Sequence, residues 1–199
     1  MERVRMEIIA SNNTFYYMPQ FKITNMLPDF NSEGNLPQGL YKPSLHEFKD
    51  RFVSSYMSSK TRDSIYSGYL DYCCQMITFD IAYTNWVNGS FTTNKQDPGD
   101  IDVVIHYDAL KLNSLSNKED INNRFLHQLN SKKLFRCHTQ TVPIYPKIDP
   151  RYILTYATYI KWKKWFSQDK YTHNPKGLIE FDLSDAQHKR NIINDGVQI

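Results

Sequence analysis

No apolar stretch in this 199-residue chain approaches the roughly 20 residues that a membrane-crossing helix requires. Residues Met1 to Ala10 carry two Arg, but no long apolar segment followed by a cleavage site. A membrane role is not expected. Cysteine is sparse: Cys73, Cys74 and Cys137 form no C-x-x-C pair and leave an odd thiol. A disulfide framework is therefore disfavoured, and a four-cysteine zinc site within one chain is excluded. A reducing, cytoplasmic compartment fits this usage. Charge of one sign is also lacking. The net charge of +3 gives no bulk electrostatic signature of a nucleic-acid binder. Internal repeats and low-complexity tracts are absent.

What remains is ordinary globular composition, with 40% apolar and 23% charged residues, enough to bury a core. Aromatics reach 14%, with fourteen Tyr and eleven Phe. Tyr buries a ring while keeping a polar tip wet, so a Tyr-rich core is the first reading and a base-stacking surface the second.

The punctuation divides the chain into three parts. Residues 1–43 hold Pro19, Pro28, Pro37 and Pro43 with little periodicity, which reads as an irregular arm wrapping the domain. Met26, Leu27, Leu36, Leu40 and Tyr41 would dock it. The main domain spans 44–183, and a short polar helix or tail, capped by Ser184 and Gln187, fills 184–199. Within the domain, Ser44 and Glu47 form a capping box before Leu45, Phe48, Phe52 and Tyr56 at helical spacing. A second helix is expected over about 62–76. Strands are expected over 81–87, 100–107, 134–145 and 178–183. Ser116 and Glu119 predict a capped helix with Ile121, Phe125, Leu126 and Leu129 inward. Asp149-Pro150 predicts a helix start, followed by Tyr152, Tyr156, Tyr159, Trp162 and Phe166 on one side. Lys161, Lys163, Lys164 and Lys170 make that helix basic. Lysine stems covering an apolar flank explain this, and an RNA-gripping surface is the alternative. The order implies an α+β fold, a small mixed β-sheet backed by helices.

One segment carries chemistry. Gly89-Ser90 ends a strand, a polar loop from Thr92 to Gly99 contains Lys95, and Asp100-Ile-Asp102, separated from Ser90 by nine residues, opens the next strand. Residues two apart on a strand share a face, so both carboxylates point the same way. Their repulsion at about 4 Å is on the order of 1 kcal/mol in water and larger in a shielded site. A hard divalent cation relieves it, and Mg²⁺ takes one or two carboxylates plus substrate phosphates. The Gly89-Ser90 turn allows close backbone approach and offers amides to phosphate oxygens. Asp-x-Asp alone is weak, since many edge strands carry such pairs in water; the joint pattern is far rarer.

That joint pattern resembles the nucleotidyltransferase superfamily typified by polymerase β, in which glycine-serine is followed after nine to thirteen residues by Asp-x-Asp. Leu36-Pro-Gln-Gly-Leu-Tyr, Leu45-His-Glu-Phe-Lys-Asp-Arg-Phe, Gly89-Ser-Phe-Thr-Thr-Asn-Lys, Pro98-Gly-Asp-Ile-Asp-Val, Trp165-Phe166 and Lys176-Gly-Leu-Ile-Glu are similar to a poorly characterised bacterial and phage family of unknown function within it. The similarity covers most of residues 28–183. It implies Asp100 and Asp102 as catalytic metal ligands for Mg²⁺ or Mn²⁺. It further implies that Gly89, Ser90 and Lys95 hold a nucleoside triphosphate, whose nucleotide passes to an RNA or protein hydroxyl. Small free-standing members of the superfamily often serve toxin–antitoxin or phage-defence systems. The superfamily usually adds a third carboxylate on a neighbouring strand, yet Cys137–Tyr145 contains no acid. Asp80, Asp108, Asp149 and Glu180 are the acidic substitutes on offer; His138 is a poor Mg²⁺ ligand. An active transferase and a catalytically degenerate module that binds a nucleotide, RNA or partner protein both remain open.

Overall fold

A computed structural model describes residues 23–197; the part of the arm before Ile23 lies outside them. The fold is α+β. Six strands form one mixed sheet in the order β1-β2-β6-β3-β4-β5. They are β1 (Ile23–Thr24), β2 (Leu40–Tyr41), β3 (Ala82–Asn88), β4 (Ile101–Asp108), β5 (Cys137–Ile144) and β6 (Leu178–Asp182). The centre is antiparallel, with β3 between β6 and β4, while β5 runs parallel to β4 and β2 parallel to β6. The helices are α1 (Leu45–Phe52), α2 (Arg62–Thr78), α3 (Ala109–Ser114), α4 (Lys118–Ile121), α5 (Gln128–Phe135), α6 (Tyr152–Phe166) and α7 (Ala186–Val197). Among the described residues no helix is long and apolar enough to cross a membrane.

Alternation along the strands splits the interior into two cores. Val87, Ile101, Val103, Ile105, Ile179 and Phe181 turn to one face, against Phe48 and Phe52 of α1 and Ile65, Tyr69 and Tyr72 of α2. Trp86, Val104, Val142 and Leu178 turn to the other, beneath Phe166, Tyr159 and Trp162 of α6. The three thiols are free, with Cys73 and Cys137 buried.

Ser44 caps α1 by accepting from the Glu47 amide. The Glu47 carboxylate does not return to close the box. It accepts from the Leu27 amide at 2.7 Å and so ties the arm down. Leu36 and Tyr41 dock the arm as expected, whereas Met26 is 74% exposed. The arm also supplies β1, at one edge of the sheet, and β2 beside it.

Four local expectations are corrected. Ser116 does not cap; the helix begins at Lys118 without a side-chain cap, passes into a π-turn at Asn122–Leu126 and stops at His127, whose backbone is extended. The interruption resets the phase, so Ile121 and Phe125 are buried while Leu129 is 63% exposed. Residues 134–136 end α5 instead of opening β5. Asp149 accepts from the Arg151 amide and pairs with its guanidinium, delaying α6 to Tyr152. Asp185 rather than Ser184 receives the first free amides of α7, those of Gln187 and His188. That helix packs on α2 through buried Ile192, next to Cys74. On α6, Phe166 is buried, Tyr152, Tyr156, Tyr159 and Trp162 are half-buried, and Trp165 is 63% exposed.

Candidate functional site

The end of β3, the start of β4 and the start of β5 meet at one corner. Register places Asn88 opposite Asp102 on one side and His138 opposite it on the other. Gly89 then leaves the sheet at φ +85°, a conformation that side chains resist. A Cβ there would stand 2.0 Å from Asp102 Oδ2. Glycine is thus required for the Asp102 carboxylate to lie against the turn. The second oxygen, Oδ1, is 3.0 Å from His138 Nδ1. Asp102 and His138 are each about one-third exposed. Burial raises the Asp102 pKa above its ordinary value, the His138 hydrogen bond opposes this, and the Asp100 charge adds to it.

Asp100 stands at the mouth of β4, where Lys132 of α5 reaches its carboxylate at 2.7 Å. The lysine is half exposed, and the bond to Asp100 holds its pKa above the ordinary value.

The turn itself is organised by Asn88, which is buried. Its Nδ2 donates to the Phe166 and Gly177 carbonyls, and its Oδ1 accepts from the Gly89 amide at 2.7 Å. The Gly89 amide, one of the donors expected for a phosphate, is thus engaged by a neighbouring side chain. Ser90 is half-buried, and among the described residues no hydrogen bond engages its hydroxyl. Lys95 is exposed and contributes backbone bonds, its amide to Thr93 Oγ1 and its carbonyl to Arg62. The cation that touches the turn is Lys176, whose Nζ donates to the Gly89 carbonyl at 2.9 Å.

The loop between the two motifs is held by a residue that sequence reading missed. Arg62 is fully buried, and its five N–H donors reach the carbonyls of Phe52, Phe91, Thr93, Lys95 and Gln96. Its guanidinium lies 3.8 Å from the Tyr56 ring centroid. One signal pointed to it: a basic side chain in the first turn of a helix opposes the macrodipole and needs another reason to be there.

Asp100 and Asp102 are the carboxylates that could take a hard cation in the Mg²⁺ manner, with ligand phosphates completing the shell, once Asp100 is released from Lys132. Among the described residues no group of three or more His, Cys, Asp or Glu is placed to hold a metal. Each acidic substitute for the third carboxylate is engaged elsewhere. Asp80 pairs with Lys111 and Lys189, and Asp108 caps α3 and accepts from Tyr83. Asp149 binds Arg151, and Glu180 binds Trp86 Nε1 and Lys42. A cavity of about 530 Å³ lies apart from this corner, lined by Asp71, Cys74, Gln75, Arg124, Phe135 and Gly196.

The model of a family of unknown function, DUF6932, matches residues 28–182, and the chain belongs to that family. The matched span contains the Gly89 turn, both aspartates and Lys176. Neither the curated proteins nor the solved structures include a significant match.

Proposed function

We propose that this DUF6932 protein is a Mg²⁺-dependent, cytoplasmic nucleotidyltransferase of the polymerase β type, working at the Gly89–Asp102 corner. The observation that carries the reading is the contact of Asp102 with Gly89: the turn is shaped around the carboxylate, so both belong to one built site. Asp100 and Asp102 would hold Mg²⁺, or Mn²⁺, which neutralises phosphate charge and aligns the attacking and leaving oxygens. Ser90 lends its hydroxyl to a phosphate oxygen, and Arg62 keeps the intervening loop in one shape. An RNA or protein hydroxyl attacks the α-phosphorus, forming the new P–O bond as pyrophosphate leaves. A toxin–antitoxin or phage-defence setting follows only from the superfamily likeness.

A second reading, a degenerate module that binds a nucleotide, RNA or a partner protein without turnover, is favoured by a specific observation. His138 occupies the β5 position facing Asp102, and the four acids named above are bound elsewhere. Two carboxylates hold one Mg²⁺ more readily than two.

Calorimetry with Mg²⁺ and each ribonucleoside triphosphate tests the common core. Mg²⁺ is expected to tighten triphosphate binding, and Asp102→Asn to remove that enhancement with the fold intact. Affinity indifferent to both would overturn the reading. Label transfer from the triphosphate to RNA or protein in cell extract then separates enzyme from module. A rate of about 1 per second or faster selects the enzyme.

A further inference from the structure

Lys176 is only 5% exposed, yet among the described residues its ammonium forms no ion pair and makes one hydrogen bond, to the Gly89 carbonyl. An isolated buried ammonium is costly, and proteins rarely keep one without an anion to face. The backbone around it is fixed. The Lys176 amide donates to Ser167 O, and the Gly177 amide to Leu36 O. The Gly177 carbonyl accepts from Asn88, the residue that sets the turn. A Cβ on Gly177 would stand 2.6 Å from both Pro37 O and the Tyr41 ring, so the chain cannot back away. Asp169, whose charge reaches Lys176, is spent on its own turn, accepting from Tyr171 and Thr172. Burial lowers the Lys176 pKa to about 8, with the Asp169 and Asp102 charges opposing the fall.

We propose that Lys176 is the fixed counter-charge of the phosphate-binding site, holding the anionic chain of a triphosphate over the Gly89–Ser90 turn. One of its three donors anchors the turn, and the other two remain for phosphate oxygens. Its charge is set in place before the ligand arrives, so little ordering is required on binding. Lys95, on an exposed loop, lacks this fixed position. The inference rests on the triphosphate reading of this corner and names the residue that reading lacked.

The test is calorimetric titration with ATP, AMP and inorganic tripolyphosphate, at several salt concentrations, on wild type, K176M, K176Q and K176R. Loss of the charge should weaken ATP and tripolyphosphate by about 10- to 100-fold. AMP should change far less, and the salt slope should flatten. K176R should retain most of the affinity. K176Q can still donate to the Gly89 carbonyl, so it carries the test should K176M fail to fold. If K176Q binds tripolyphosphate like wild type, or loses AMP and ATP equally, Lys176 merely props the turn and the inference falls while the triphosphate reading stands. If wild type binds neither ATP nor tripolyphosphate, the functional reading itself has failed, and the inference with it.

Discussion

The two faces of the sheet are built on different terms. Beneath α1 and α2, the strands present Val87, Ile101, Val103, Ile105, Ile179 and Phe181, with Asn85 and Thr139 as buried polar strand side chains, and Asn85 donates to Tyr69 and Cys73. Beneath α6, four buried apolar strand residues, Trp86, Val104, Val142 and Leu178, share the face with Asn88, Asp102, His106, His138 and Glu180. The first face is a continuous aromatic and aliphatic core whose burial stabilises the chain. The second gives up part of that burial to keep polar groups in fixed positions near the Gly89 turn. If this contrast is correct, stability should be concentrated on the first face, and polar sensitivity on the second.

The largest effect is expected at Phe48. Its ring is fully buried and lies within 5.0–6.3 Å of the rings of Phe52, Tyr66, Tyr69, Phe91 and Phe181. Phe48→Ala should cost about 3–5 kcal/mol through lost burial and the cavity left behind. Urea unfolding measures this directly. A loss below about 1 kcal/mol would mean that this face is not the stabilising one.

A smaller effect, visible only against pH, is expected at His106. The ring packs edge-on against Trp86 at 4.4 Å, its Nδ1 faces Thr84 O, and its Nε2 is buried without a partner. Burial pushes its pKa from 6.5 down to about 4. The native state thus refuses a proton that the unfolded chain accepts, and stability falls as pH drops from 6.5 towards 4. The loss should approach on the order of 3 kcal/mol. His106→Leu should remove this component, so wild-type stability should fall relative to that of the variant on acidification. Parallel curves across that window would show that His106 titrates normally and that the second face tolerates charge.

The same contrast explains what could be read from the sequence. The α2 stripe, and the β3 and β4 alternation, follow periodicity that the first core imposes and were legible within a residue or two. By contrast, α1 stops at Phe52 and leaves Tyr56, expected on the same stripe, in a separate 3-10 turn. The α4–α5 break was not, because neither Gly nor Pro marks it; His127 simply turns extended. The candidate site was legible where it is local, in Gly89, Ser90, Asp100 and Asp102. Arg62, Asn88 and Lys176 act through contacts across tens of residues, which no local spacing encodes. The arm strands β1 and β2 are two residues each, too short to alternate visibly.

The smallest expected effect has the most telling sign. Asp102 is a carboxylate whose charge the fold disfavours, chiefly through burial and further through Asp100. Its pKa is raised, so the folded chain holds that proton more readily than the unfolded chain does. At neutral pH the ionised group therefore subtracts from stability. Asp102→Asn keeps the shape and an acceptor for His138 Nδ1 while removing the charge, so in metal-free buffer it should stabilise by under about 1 kcal/mol. For a chain of this size that corresponds to a Tm rise of roughly 2–4 °C at most. The gain should shrink as pH falls, because the wild-type carboxylate then becomes neutral too. Adding Mg²⁺ and a triphosphate should reverse the order, since only wild type gains binding energy from the pair. A core residue on the first face shows neither behaviour, because its replacement destabilises under every condition. If Asp102→Asn lowers the Tm in metal-free buffer, the carboxylate is a structural partner of His138, and the second face is held together by that pair.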